Sequence, residues 1–132
     1  MNADQHNAGP LIGHGIDLMP VERIQRAIDA HGSRFLERVF TPGELAYNAS
    51  HARRAEHLTG RFAAKEAVLK ALGTGWSGGI AWTDVEVVAM GGPPGVKLHN
   101  EAARIAAERG ITRWSLSLSH AAGFAMASAI AY

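Results

Sequence analysis

The run Gly60-Arg61-Phe62-Ala63-Ala64-Lys65-Glu66-Ala67-Val68-Leu69-Lys70 constrains this chain more than any other stretch. Alanine, leucine, lysine and glutamate are strong helix formers, and no proline interrupts them. With successive residues about 100° apart, Leu58, Phe62, Leu69 and Leu72 make one apolar stripe. Lys65 falls inside that stripe, while Glu66 and Lys70, one turn apart, lie together at its border. Charges beside a buried face are costly unless they are paired or bound to something. A plain helix would answer with an intrahelical Glu–Lys pair and a snorkelling lysine.

A second feature upstream argues for more. Gly13-His14-Gly15-Ile16-Asp17 follows Leu11-Ile12 and precedes Met19-Pro20-Val21-Glu22-Arg23-Ile24. The pattern predicts a strand over 11–17, then a helix with Pro20 in its first turn. Two glycines weaken a strand unless something must approach its backbone closely. The strand is expected to end at Asp17, whose carboxylate then serves as a helix cap or as a ligand. Together with Glu66 it supplies two carboxylates on separate rigid elements. That is the minimum that holds a magnesium ion whose other ligands are water and substrate phosphate.

The 132 residues suffice for one modest core. Thirteen basic and twelve acidic residues leave a net charge of +1, so bulk nucleic-acid binding is not expected. The basic residues from Arg23 to Lys70 nevertheless outnumber those that follow, which are only Lys97, Arg104, Arg109 and Arg113. A basic docking face and plain surface solvation both account for that asymmetry. The absence of cysteine excludes disulfides, thiolate catalysis and cysteine zinc sites, and suits a reducing, cytoplasmic location. No apolar run reaches membrane-spanning length, and residues 1–10 lack a signal-peptide pattern. Residues 1–9 read as a flexible polar leader and 10–132 as one domain.

Along the chain, a helix is expected over 20–30 and a helical turn or two over 34–40. Thr41-Pro42-Gly43-Glu44 is a capping box that starts a helix running toward Asn48. The long helix covers 53–72 and stops at Gly73-Thr74-Gly75. Strands over 84–90 and 96–99 flank the turn Gly91-Gly92-Pro93-Pro94-Gly95. Asn100 is read as the cap of a helix over 101–109, ended by Gly110. Trp114, Leu116 and Leu118 alternate with Ser115, Ser117 and Ser119, giving a strand with one polar face over 111–119. His120-Ala121-Ala122-Gly123 then turns into a last strand over 124–132, where alanines alternate with Phe124, Met126, Ile130 and Tyr132. The order is one strand, three helices, two strands, a helix and two strands. This is an α+β class with antiparallel hairpins packed on the long helix, not a doubly wound parallel sheet. A terminal strand with small residues on one face and large ones on the other wants cover on both, from a helix or a subunit contact.

In these motifs the chain resembles the holo-acyl-carrier-protein synthases, the short, single-domain branch of the 4′-phosphopantetheinyl transferases. The resemblance rests on Gly13–Leu18, the segment 34–45, the run 60–70, Ala71-Leu72-Gly73-Thr74-Gly75, and Ser115-Leu116-Ser117-Leu118-Ser119-His120. It covers about residues 10–132 in family order. It implies a magnesium-dependent transfer of the phosphopantetheine half of coenzyme A to a serine of apo acyl carrier protein, releasing adenosine 3′,5′-bisphosphate. Such chemistry needs a metal, cations for the phosphates and a proton acceptor.

By the resemblance, Asp17 and Glu66 are the magnesium ligands, and Lys70 is a catalytic and coenzyme-binding group facing the same phosphates. Arg61 and His120 are implied coenzyme contacts, although Arg61 points about 140° away from Glu66 around the helix. By itself His120 reads as a turn histidine. Glu66 takes the serine proton either directly or by way of a water on the metal. Arg23, Arg26 and Arg34 match the basic docking face for an acidic carrier protein. Members of the family are homotrimers with active sites at subunit contacts. His14 departs from the family's small or β-branched residue and falls on the strand face opposite Asp17. The Gly92–Gly95 turn carries two prolines in place of one. Two other classes stay open on the residues alone: another magnesium-dependent enzyme of nucleotide pyrophosphates, and a non-catalytic module that binds an acidic protein.

Overall fold

The computed structural model describes residues 10–46, 51–77 and 79–132. The chain forms β1 (Gly13–Pro20), α1 (Val21–His31), α2 (Ser33–Val39), α3 (Pro42–Leu45) and α4 (His51–Leu72). A 3₁₀ turn over Trp82–Asp84, β2 (Val85–Val88), β3 (Gly95–Leu98), α5 (Asn100–Glu108), β4 (Trp114–Ala121) and β5 (Phe124–Ala131) follow. The expected α+β order holds, the segment read as a turn or two forming α2. Strands β1, β5 and β4 make an antiparallel sheet in that order, and β2 pairs with β3 as a separate hairpin.

Helix α4 is the spine. Leu58, Phe62, Leu69 and Leu72 are buried as the stripe requires, but so are Ala63, Ala64, Ala67, Val68 and Ala71 on its other sides. Its small residues admit the sheet. Gly13, Gly15, Asp17 and Met19 stand opposite Ala131, Ala129, Ala127 and Ala125, so all eight share one face. Trp114, Leu116, Leu118 and His120 join them across the other side of β5. The four alanines are fully buried on this inner face. The opposite face leaves Ile16, Leu18, Phe124 and Met126 exposed. The alanines therefore meet the chain's own helix, and the large residues are the uncovered ones.

Several local expectations change. Strand β1 continues three residues beyond Asp17, which sits inside the strand and caps nothing. Pro20 precedes α1 as its N-cap residue. The capping box forms as read, Thr41 Oγ1 accepting from the Glu44 amide at 3.2 Å and Glu44 Oε1 from the Thr41 amide at 2.8 Å. The helix it starts ends at Leu45, and the stretch over 47–50 toward Asn48 lies outside the described residues. Asn100 is the first residue of α5, its side chain donating to Asp84 instead of capping. The β4–β5 turn is only Ala122-Gly123, both at positive φ (52° and 81°), as a two-residue hairpin of this hand requires.

Candidate functional site

Close contact between backbones creates the site. A Cβ on Gly15 would lie 1.9 Å from the Ala67 carbonyl oxygen, and one on Gly13 2.0 Å from that of Ala71. The glycines thus let β1 rest directly on α4. Asp17, the next residue on that face, is carried to the helix edge where Glu66 and Lys70 emerge. Lys70 Nζ donates to Asp17 Oδ1 at 3.2 Å and to the Ile16 carbonyl at 2.8 Å. The pair expected within the helix, Glu66 with Lys70, gives way to one between helix and strand.

Asp17 is 12% exposed, and its Oδ2 is buried without a hydrogen-bond partner. Burial, then the charge of Asp17, pushes Glu66 above the ordinary carboxylate range; Lys70 and Arg23 pull it back. A carboxylate raised by burial and by a neighbouring carboxylate that keeps an orphaned oxygen fits, with that neighbour, a hard cation. Among the described residues no group of three or more His, Cys, Asp or Glu could hold a metal. The pair therefore suits magnesium, which keeps water and phosphate as its remaining ligands.

A second cluster lies on the other side of α4. His57 and Arg61 line a cavity of about 420 Å³ with Gly43, Glu44, Val87 and Ala89. His120 is on the inner face of β4, not in a turn, and its Nε2 is 2.9 Å from the Glu56 carbonyl. Gly60 makes room for it, since a Cβ there would be 2.9 Å from that nitrogen. Burial, then Arg61 and His120, push His57 down to about 4. The structure thus divides the expected residues. Asp17, Glu66 and Lys70 gather at one edge of α4, and Arg61 and His120 meet around His57 at another.

The docking arginines also separate. Arg23 acts on Glu66 and so stands near the carboxylate pair. Arg26 is tied to Glu22 at 2.5 Å on the exposed side of α1. Arg34 lines a different cavity with His31, Phe35 and Arg38. His14 points to the outer face, 3.3 Å from Ser128 Oγ.

Lys65 neither snorkels nor reaches a surface. Both it and Glu44 are fully buried, paired at 2.7 Å. Glu44 also accepts from the Thr41 and Val87 amides, and Lys65 donates to the Trp82 and Val85 carbonyls. Burial lowers the Lys65 ammonium, and Glu44 opposes the shift. This lock joins α3, α4 and β2, and its Glu44 is among the residues that line the cavity. The signal for it was present: a lysine inside an apolar stripe demands a buried acid. The sequence reading gave Glu44 only a capping role, and it passed over His57.

Residues 13–127 match the family model of the 4′-phosphopantetheinyl transferase superfamily. A holo-acyl-carrier-protein synthase of Solibacter usitatus is 46% identical over 121 residues, which cover 91% of this chain and 97% of that protein. The crystal structure of such a synthase from Neisseria meningitidis matches with a TM-score of 0.82 at 31% identity, over 93% of this chain and 99% of that one. The Helicobacter pylori synthase, solved in complex with coenzyme A, matches with a TM-score of 0.78 at 28% identity, over 90% and 99% of the two chains.

Proposed function

Because the chain belongs to the holo-acyl-carrier-protein synthases of the 4′-phosphopantetheinyl transferase superfamily, we propose that it transfers 4′-phosphopantetheine from coenzyme A to a serine of apo acyl carrier protein. The observation that carries this reading is the buried, unpartnered Oδ2 of Asp17 beside a Glu66 whose proton affinity is raised. Asp17 and Glu66 would hold Mg²⁺, which when bound neutralises charge on the pyrophosphate. Lys70, 48% exposed, swings from the Ile16 carbonyl to the phosphates. Glu66 accepts the serine proton. The serine oxygen attacks the phosphorus nearer the pantetheine. The bond from that phosphorus to the bridging oxygen breaks, and adenosine 3′,5′-bisphosphate leaves with the electron pair.

The working form is a homotrimer in the cytoplasm, with its sites at subunit contacts. Two features support the assembly. The outer face of the sheet exposes Ile16, Leu18, Phe124 and Met126 side by side, a patch of the kind that marks an interface. Arg61 and His120 lie around α4 from Glu66, so a neighbouring copy is needed to bring them to the same coenzyme. The number three follows the family. Arg23, Arg26 and Arg34 steer the acidic carrier protein, with Arg23 nearest the chemistry. Among the described residues no helix is long and apolar enough to cross a membrane.

Mass spectrometry of an apo carrier protein incubated with this protein, coenzyme A and magnesium tests the reading. The expected result is a mass gain of one phosphopantetheine that depends on both coenzyme and metal. An unmodified carrier would overturn it. Hydrolysis of the coenzyme without an acceptor would assign a pyrophosphate hydrolase instead.

A further inference from the structure

Three rings form a column that rises from α4. Phe62 lies one turn before Glu66 and about 40° round α4 from it, so the column springs from the helix that carries the carboxylate site. The Trp82 ring packs on Phe62 at 5.0 Å with a 33° tilt. Trp76 stacks on Trp82 at 5.7 Å, the planes 2° apart. The inner rings are covered, whereas Trp76, at the outer end, is 50% exposed. One face of this indole is held parallel to its neighbour, and the exposed surface is on the other side.

The loop that carries Trp76 is attached to the reaction site. It leaves α4 three residues after Lys70, and Gly73 and Gly75 adopt positive φ of 82° and 56°. This turns the amides of Thr74 and Gly75 back to the Leu69 carbonyl, each at 3.2 Å. The chain therefore doubles back along α4 and brings Trp76 alongside the helix that bears Glu66 and Lys70. Its neighbours Gly75, Ser77 and Gly79 are small, which leaves room for a planar group to approach. Arg109 lies over the same loop, since a Cβ on Gly73 would meet its Nη1 at 2.5 Å.

We propose that Trp76 is the base platform of the donor site, its outer indole face stacking on the adenine ring of coenzyme A. This rests on the coenzyme reaction proposed above. Of the donor's parts, the phosphates go to Lys70 and the carboxylate edge, and the pantetheine arm is a flexible chain of amides without a ring. The adenine alone has a π face to match an exposed indole, and base–aromatic stacking needs no further polar partner. Trp76 thus sets the preference for a donor that carries a base.

Calorimetric titration of adenosine 3′,5′-bisphosphate, with magnesium, into the wild type and into Trp76→Ala, Trp76→Phe and Trp76→Leu tests this. Trp76→Ala should weaken binding about tenfold, the loss expected for one base–aromatic stack. Trp76→Phe should recover most of that loss, and Trp76→Leu, apolar but without a π face, should not. In turnover the coenzyme KM should rise with kcat nearly unchanged. Equal nucleotide affinity in Trp76→Ala, or full recovery by Trp76→Leu, would overturn the proposal. A rise confined to the carrier-protein KM would place Trp76 in the carrier contact, and dissociation of the assembly would place it between subunits; both outcomes also overturn it. If Trp76→Ala does not fold, the comparison of the Phe and Leu variants decides. A wild type that binds the nucleotide through Trp76 but modifies no carrier would refute the reaction and leave the stack standing.

Discussion

Lys70 Nζ bridges Asp17 Oδ1 and the backbone carbonyl of Ile16, residue neighbours on a strand, from a helix more than fifty positions away. The contact pairs Lys70 with one oxygen of Asp17 and leaves Oδ2 buried without a hydrogen-bond partner. Burying an unpaired carboxylate oxygen costs free energy that a cation would recover. The two glycines of β1 and the alanines of α4 exist, in this sense, to bring one carboxylate to that depth.

Asp17→Asn and Glu66→Gln should each lower the rate of carrier modification by at least about 100-fold, because even outer partners of a metal ligand are worth 10- to 100-fold. Raising magnesium should restore part of the loss, because a weakened site refills by mass action. Near-normal turnover of either variant at limiting magnesium would show that the metal sits elsewhere.

The raised proton affinity of Glu66 gives a pH signature in the metal-free protein. A carboxyl raised by folding binds its proton more tightly folded than unfolded, so stability falls as pH rises from the ordinary glutamate value through the raised one. Above that window the folded state carries the whole penalty. Glu66→Gln should therefore raise Tm at neutral pH and give no gain well below the ordinary carboxylate range. Magnesium should raise the wild-type Tm and leave the variant's unchanged. Thermal melts across pH, with and without the ion, check both signs.

His57 titrates in the opposite sense. Pushed down to about 4 by burial, Arg61 and His120, it stays neutral in the fold while an unfolded chain protonates near 6.5. Stability is thus lost as pH falls through that interval. Proton NMR of the ring should show His57 still neutral at pH 5, and His57→Phe should flatten the acid side of the stability profile. A midpoint near 6.5 would mean the ring is solvated and not part of the cluster.

The Glu44–Lys65 lock is expected to behave as a buried pair. Removing one partner strands the other charge, so Glu44→Ala or Lys65→Ala should each cost about 3–5 kcal/mol in urea unfolding. Replacing both, as Glu44→Leu with Lys65→Met, should cost less than either single change, because no charge is left unpaired. A double variant as unstable as the sum of the singles would contradict this.

How much of this was readable beforehand depends on which contacts are local. The Thr41–Glu44 box, the Ala122-Gly123 turn region and the stripe on α4 are set by neighbours within one or two turns, and the sequence shows them. The double glycine of β1 announced a close approach, and Ala67 and Ala71 supply it. The partner of Lys65 could not be read, because Glu44 is brought to it by the packing of α3 and β2. The depth of Asp17 also escaped the reading, since β1 is prolonged past it by pairing with β5, a contact more than a hundred residues away. The same pairing turned the alanines of β5 toward α4. Alternation shows that a strand has two faces without saying which one its own chain covers.

That last correction changes how assembly should be tested. A charge at Ala127 or Ala129 enters the core, where both are fully buried, and Ala127→Arg should fail to fold whatever the oligomeric state. The informative positions are Leu18 and Met126, register partners on the outer face that remain 60% and 42% exposed in the single chain. A charge at either is solvated in a monomer and costs little there. In a subunit contact it would be buried without a partner. Leu18→Glu and Met126→Glu should therefore keep the helix content and melting behaviour of a folded chain while light scattering reports a smaller particle. If Arg61 and His120 act on the coenzyme at Glu66 from a neighbouring copy, as proposed, carrier modification should fall with assembly. A Leu18→Glu protein that is monomeric and fully active would show that one chain completes the site by itself.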